Sequence, residues 1–129
     1  MATKTPLVVK SDDPDEAIEL LTPDEVVVFP IRISQVLYTA WTIVRGRKFT
    51  RSIATLPKNN PWVEWCIYSR DNYEYLWNYG MDILDRHDEM FGQIAKNPYT
   101  HGSKGLMAEL ENLPPLPTVG LTAFPKATV

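Results

Sequence analysis

The stretch from Asn60 to Phe91, NPWVEWCIYSRDNYEYLWNYGMDILDRHDEMF, holds three of the four Trp and four of the six Tyr of the chain. The other segments read as too short or too broken to form a core without it. It reads as a short helix running into a long one. Asn60 and Pro61 supply a cap and a first-turn proline, and Trp62, Trp65 and Cys66 share a face. Ser69 caps a restart in SRDN. Beyond it Tyr73, Leu76, Trp77, Gly80, Ile83, Leu84, His87 and Phe91 trace an apolar stripe at helical spacing, with Trp77 expected to be mostly buried. Asp71, Glu74, Asn78, Asp82, Asp85, Arg86 and Glu89 fill the other side. Gly80 costs about 1 kcal/mol of helix propensity within that stripe, which close packing of another helix would explain.

The flanking segments carry equally physical signals. Residues 1–11 read as an arm, extended or a short strand at Leu7, Val8 and Val9. A helix follows, with Asp12 or Asp13 as cap and Pro14 in its first turn. Thr22, Pro23 and Glu25 form a second start signal of the capping-box type, although the β-branched VVVF after it competes as a short strand. Pro30 is expected to open the next helix, with Ile33, Val36, Leu37, Ala40, Trp41 and Val44 inward and Gly46 as its stop. Residues 47–59 form a basic connector. Gly92 permits the long helix to stop, and residues 97–105 read as a turn-rich loop. A last short helix starts at Ser103 or Lys104, with Leu106, Met107 and Leu110 inward. Residues 113–129 form a Pro-rich, semi-extended tail, anchored by Leu116, Leu121 and Phe124. The expected architecture is one all-α domain of about four or five helices over residues 1–129.

Charge is distributed unevenly. The net −3 divides into −5 over residues 1–31, +6 over 32–70 and −4 over 71–129. A basic middle in an acidic chain suggests either a local anionic partner or docking of the basic connector against acidic helices of its own kind. No apolar run reaches the roughly 18 residues that span a bilayer, so no membrane partner is expected. No secretory signal is visible in the first residues, and Cys66 is the only cysteine, so a cytoplasmic setting is expected.

Few motifs carry chemistry. No metal-ligand spacing surrounds His87 or His101, and neither a Walker loop nor a GxGxxG nor a nucleophile elbow is present, so no metal and no cofactor is assigned. Asp82, Asp85 and Glu89 share a helix side and suit a divalent cation or a solvated face. The aromatics are more informative. Positions 73, 75, 77 and 79 point in several directions at about 100° per residue, so some face a partner, a groove or a subunit interface. Tyr and Trp stack on bases and Arg pairs with phosphate. The candidate ligand site is therefore the SRDNY turn with its neighbours: Arg70, Asn72, Tyr73, Trp65 and Tyr68, together with Arg32. Asp71 opposes that assignment, and a capped kink with Arg70 paired internally is the structural alternative.

The order of motifs DDPDEA (12–17), YTAW (38–41), NNPWVEW (59–65), SRDNYEYL (69–76), RHDEMFGQ (86–93) and LTAFP (121–125) resembles an uncharacterised family of small bacteriophage proteins. Asn60 stands where that family has His before the proline, and FPIRIS replaces its His-Val-Val-Lys segment. The resemblance implies a phage origin and no reaction. The combined expectation is a phage accessory protein that binds a nucleotide-like anionic small molecule, for instance a sponge for a host immune nucleotide. An enzyme of phage nucleotide or DNA-base metabolism and a nucleic-acid- or protein-binding accessory factor are the alternatives. A homo-oligomer, most simply a dimer, is expected from the number of aromatics.

Overall fold

The computed structural model describes residues 7–46, 55–92 and 104–125, and these residues form helices and no strands. The helices are α1 (Pro14–Glu19), α2 (Pro23–Arg45), α3 (Pro61–Tyr68), α4 (Arg70–His87) and α5 (Lys104–Glu109), with one π-helical turn (Asp88–Gly92) continuing α4. The fold is all-α, as the periodicities imply. Most of the basic connector, the loop bearing His101 and the two chain ends lie outside the described residues.

Local signals account for most helix boundaries. Asp13 caps α1 through its carboxylate, which accepts from the Asp15 amide. Thr22 and Glu25 close a reciprocal capping box at the start of α2. Gly46 ends α2 at φ 71°, a left-handed conformation that suits glycine. Asn60 caps α3 by accepting from the amides of Trp62 and Val63. Ser69, in extended conformation, ends α3 and caps α4, so SRDN is a helix restart.

The expected helix start at Pro30 is overturned. VVVF is no strand and Pro30 opens no helix, because α2 runs unbroken from Pro23 through Pro30. An internal proline removes one backbone bond and costs about 3 kcal/mol. Val26, Phe29, Ile33, Leu37 and Ala40 lie on one face across that position and are all fully buried. Burial stabilises each large member of that set by about 1.5–3 kcal/mol, so the continuous face outweighs the proline.

Helix α4 is the centre of the packing. It lies mainly against α2, then α3, with α1 and α5 closing its remaining sides. Tyr73, Leu76, Ile83, Leu84 and His87 of its stripe are buried, and Trp77 is mostly buried with part of its ring at the surface. Gly80 faces both α2 and α5: a Cβ there would lie 2.7 Å from Met107 Cε and 2.9 Å from Ile33 Cγ2. By length and composition α2 could cross a membrane, yet 61% of its apolar window is buried within the molecule, as in a core helix.

The arm at residues 7–11 has no regular secondary structure and is tied down by aromatic tips. Trp62 Nε1–H donates to Leu7 O at 3.1 Å, and the Tyr79 hydroxyl donates to Val8 O at 2.9 Å. The C-terminal strap, residues 111–125, is held in the same way. Its anchors differ in part from those expected: Phe124 packs on Trp65 and Tyr75 and Leu116 is half-buried, but Leu121 is 52% exposed. The adjacent Thr122 is the polar anchor instead.

Candidate functional site

The sequence-designated residues do not gather in one cleft. Asn72 is fully buried and its carboxamide is fully engaged. Its Nδ2 donates to Trp65 O at 2.8 Å and Thr122 Oγ1 at 2.9 Å, and its Oδ1 accepts from the Thr122 amide at 2.9 Å. Asn72 thus joins α3, α4 and the strap. Tyr73 is fully buried, and its hydroxyl donates to Leu110 O at 2.8 Å. Burial raises the Tyr73 phenol well above its ordinary range, so it stays a neutral donor.

Trp65 lies within an aromatic cluster. Its ring meets Trp62 edge-on at 5.3 Å and Tyr75 at 6.4 Å, with Phe124 of the strap at 5.6 Å. Tyr68 is 58% exposed at the end of α3. Arg70 is exposed and pairs with Glu74 at 3.0 Å, while its backbone N–H donates to Pro117 O at 2.8 Å. Arg32 is half-buried on α2 and lines a separate small cavity with Leu7, Leu56 and Trp62.

Two polar tips of the aromatic helix, Tyr73 and Trp77, serve the C-terminal segment, while Tyr79 serves the arm. Trp77 Nε1–H donates to Met107 O at 2.7 Å, and Trp41 Nε1–H on α2 donates to Asn112 O at 3.1 Å. Carbonyls at the end of a short helix lack intrahelical partners, and these indoles and the Tyr73 phenol supply them. That arrangement explains why Trp and Tyr, rather than Phe and Leu, occupy these positions.

A different constellation does form a concavity. Arg45, from the end of α2, and Arg70, from the start of α4, line one open groove of about 790 Å³ with Glu111, Leu113, Pro115 and Leu116. The Arg45 guanidinium lies 5.6 Å from the Trp41 ring centroid, and its Nη2 is 3.5 Å from Leu113 O. Stacking on the indole restricts Arg45 without neutralising it. A smaller neighbouring recess, about 210 Å³, is lined by Tyr73, Glu74, Trp77, Asn78, Glu111 and Leu113. Sequence reasoning passes over Arg45 because a basic residue in the last turn of a helix already suits the negative end of its dipole. Only the return of the strap brings it into a groove with Arg70.

The acidic side chains behave differently. Asp15 and Glu19 of α1 face Asp82, Asp85, Arg86 and Glu89 across a groove of about 420 Å³. Partial burial, then the neighbouring Asp85 and Asp15 charges, push the Asp82 carboxyl up. Among the described residues, no cluster of His, Cys, Asp or Glu has a metal-holding arrangement. Cys66 is fully buried, and burial drives its thiol far above the range in which a thiolate forms, so it is a packing residue. His87 is buried against Phe91, ring centroids 4.9 Å apart, with Nδ1 3.7 Å from Asp88 Oδ1. Comparison with protein-family models, curated proteins and solved structures returns no match for this chain.

Proposed function

We propose that the protein binds a nucleotide-like anionic small molecule in the groove beneath the strap, with Arg45 and Arg70 on its phosphate groups. The observation that carries this reading is the convergence of two guanidiniums from distant parts of the chain on one groove large enough for a nucleotide. Arg45 is held by Trp41 and has no carboxylate pair among the described residues. Arg70 has only the exposed Glu74 as a partner, and exposed pairs of this kind are worth about 0–1 kcal/mol, so exchange for a phosphate costs little. Guanidiniums suit phosphate because their paired N–H groups match its oxygens. Leu113, Leu116 and Pro115 offer an apolar wall for a base, and Glu111 can accept from a sugar hydroxyl or a base amine while opposing excess negative charge.

In this reading the protein is a phage accessory factor working in the host cytoplasm. It sequesters a host nucleotide signal and exists as a homodimer. The motif order from DDPDEA to LTAFP supports the phage assignment, and Tyr68, Val119 and Leu121, exposed where the strap crosses the α3–α4 junction, support self-association. The test is calorimetry against a panel of mono-, di- and cyclic nucleotides with wild type, Arg45→Ala, Arg70→Ala and the double variant. Loss of one charge-assisted contact is expected to cost about 1.5–3 kcal/mol, roughly ten- to a hundredfold in affinity. Binding that survives in the folded double variant moves the site elsewhere. New products in chromatography of the same mixtures establish turnover and the enzyme reading.

A further inference from the structure

Arg32 stands apart from the groove just described. It lies about 20 Å of helix away from Arg45 along α2. Its Nε is buried and has no hydrogen-bond partner. It lines a small cavity of about 70 Å³ between the arm, α2 and α3, with Leu7, Gln35, Leu56, Asn60 and Trp62. That is room for a few waters or one small ion.

Among the described residues nothing neutralises this charge. No Asp or Glu occurs between Glu25 and Glu64, and every Asp and Glu of the sequence falls within the described residues. None of them forms an ion pair with Arg32. A half-buried cation with an unsatisfied N–H costs free energy unless something pairs with it. The rest of the cavity adds positive potential. It abuts the start of α3, whose dipole is positive there. Asn60 turns its carboxamide oxygen to the Trp62 and Val63 amides, which leaves its Nδ2 donor for a ligand. Trp62 and Leu56 form the apolar walls, and the Trp62 indole N–H is already committed to Leu7 O.

We propose that this cavity binds a small tetrahedral oxyanion, either free phosphate or the phosphoryl end of a monoester, on Arg32 and Asn60. The site is independent of the Arg45–Arg70 groove. A ligand here would also brace the arm, because Leu7 forms part of the wall and is held by Trp62.

Thermal melts and calorimetry with potassium phosphate, against potassium chloride of matched ionic strength, test the proposal. Wild type is expected to show saturable phosphate binding and a rise in Tm that follows it. Arg32→Gln should weaken that binding at least tenfold. In chloride the same variant should melt no lower than wild type, since it removes an unpaired charge. Arg32→Gln should leave nucleotide binding in the Arg45–Arg70 groove unchanged, which separates loss of this site from failure of the nucleotide reading. Glycerol phosphate in place of phosphate distinguishes the sources: tighter binding of the monoester assigns the site to a phosphorylated molecule, and tighter binding of phosphate assigns it to the free ion. Absence of saturable binding of either probe, or an equal response in Arg32→Gln, overturns the proposal and leaves the cavity to water.

Discussion

Asn72 joins three elements through one carboxamide, so its removal leaves a buried carbonyl and a strap amide without partners. Each buried group left unpaired costs about 1–3 kcal/mol. Asn72→Ala is therefore expected to lower stability by about 2–5 kcal/mol in urea denaturation, with earlier proteolytic release of the strap. A loss below about 1 kcal/mol would mean that the strap holds without it. Glu25 makes a second residue-level case. Burial pushes its carboxyl up, but the bonds from Lys10 Nζ at 2.6 Å and from Thr22 outweigh burial and hold it below the usual glutamate range. A carboxyl lowered in the folded state contributes stability that is present above its unfolded value and lost as pH falls through the folded value. The urea midpoint of Glu25→Gln should thus lie below that of wild type at neutral pH. The gap should close as pH falls through and below the ordinary carboxylate range. A constant gap across that window would assign the effect to packing.

At the level of elements, Gly80 sets how closely α4 approaches α2 and α5. Alanine gains about 1 kcal/mol of helix propensity there. Its methyl, however, would sit 2.9 Å from Ile33 Cγ2 on a stiff β-branched side chain, and 2.7 Å from the more yielding Met107 Cε. Overpacking typically costs 1–3 kcal/mol. Gly80→Ala is expected to destabilise by about 1–2 kcal/mol net, and an increase in stability would show that the three helices can separate freely at this point. Restarts and stops were legible in the sequence at this scale because they depend on neighbouring residues. Asn60-Pro61, Ser69, Thr22-Glu25 and Gly46 all act where their chemistry indicates. Pro30 did not, because its local cost competes with a buried face that is complete only once α4 packs on α2.

For the whole molecule, self-association is the open quantity with the most direct measurement. Tyr68, Val119 and Leu121 are all more than half exposed around the strap crossing. Light scattering at micromolar concentration is expected to give twice the mass of the 14.7 kDa chain. Tyr68→Lys with Leu121→Lys should convert that species to monomer without lowering helicity, whereas a wild-type monomer at high micromolar concentration removes the dimer.

The sequence by itself determined the all-α class, the caps, the break at Ser69 and the inward stripe of α4, since each follows from spacing within one helix or turn. It also set the basic character of residues 32–70. Tertiary structure alone decided where that charge acts. Asn72 and Tyr73, which carry the polar chemistry of the SRDNY turn, are consumed by Thr122 and Leu110, partners far away in sequence. Arg45 and Arg70 come to share a groove, and Arg32 is left without a counter-charge, for the same reason. Which polar groups remain available depends on which carbonyls the returning strap and arm present, and those contacts span most of the chain.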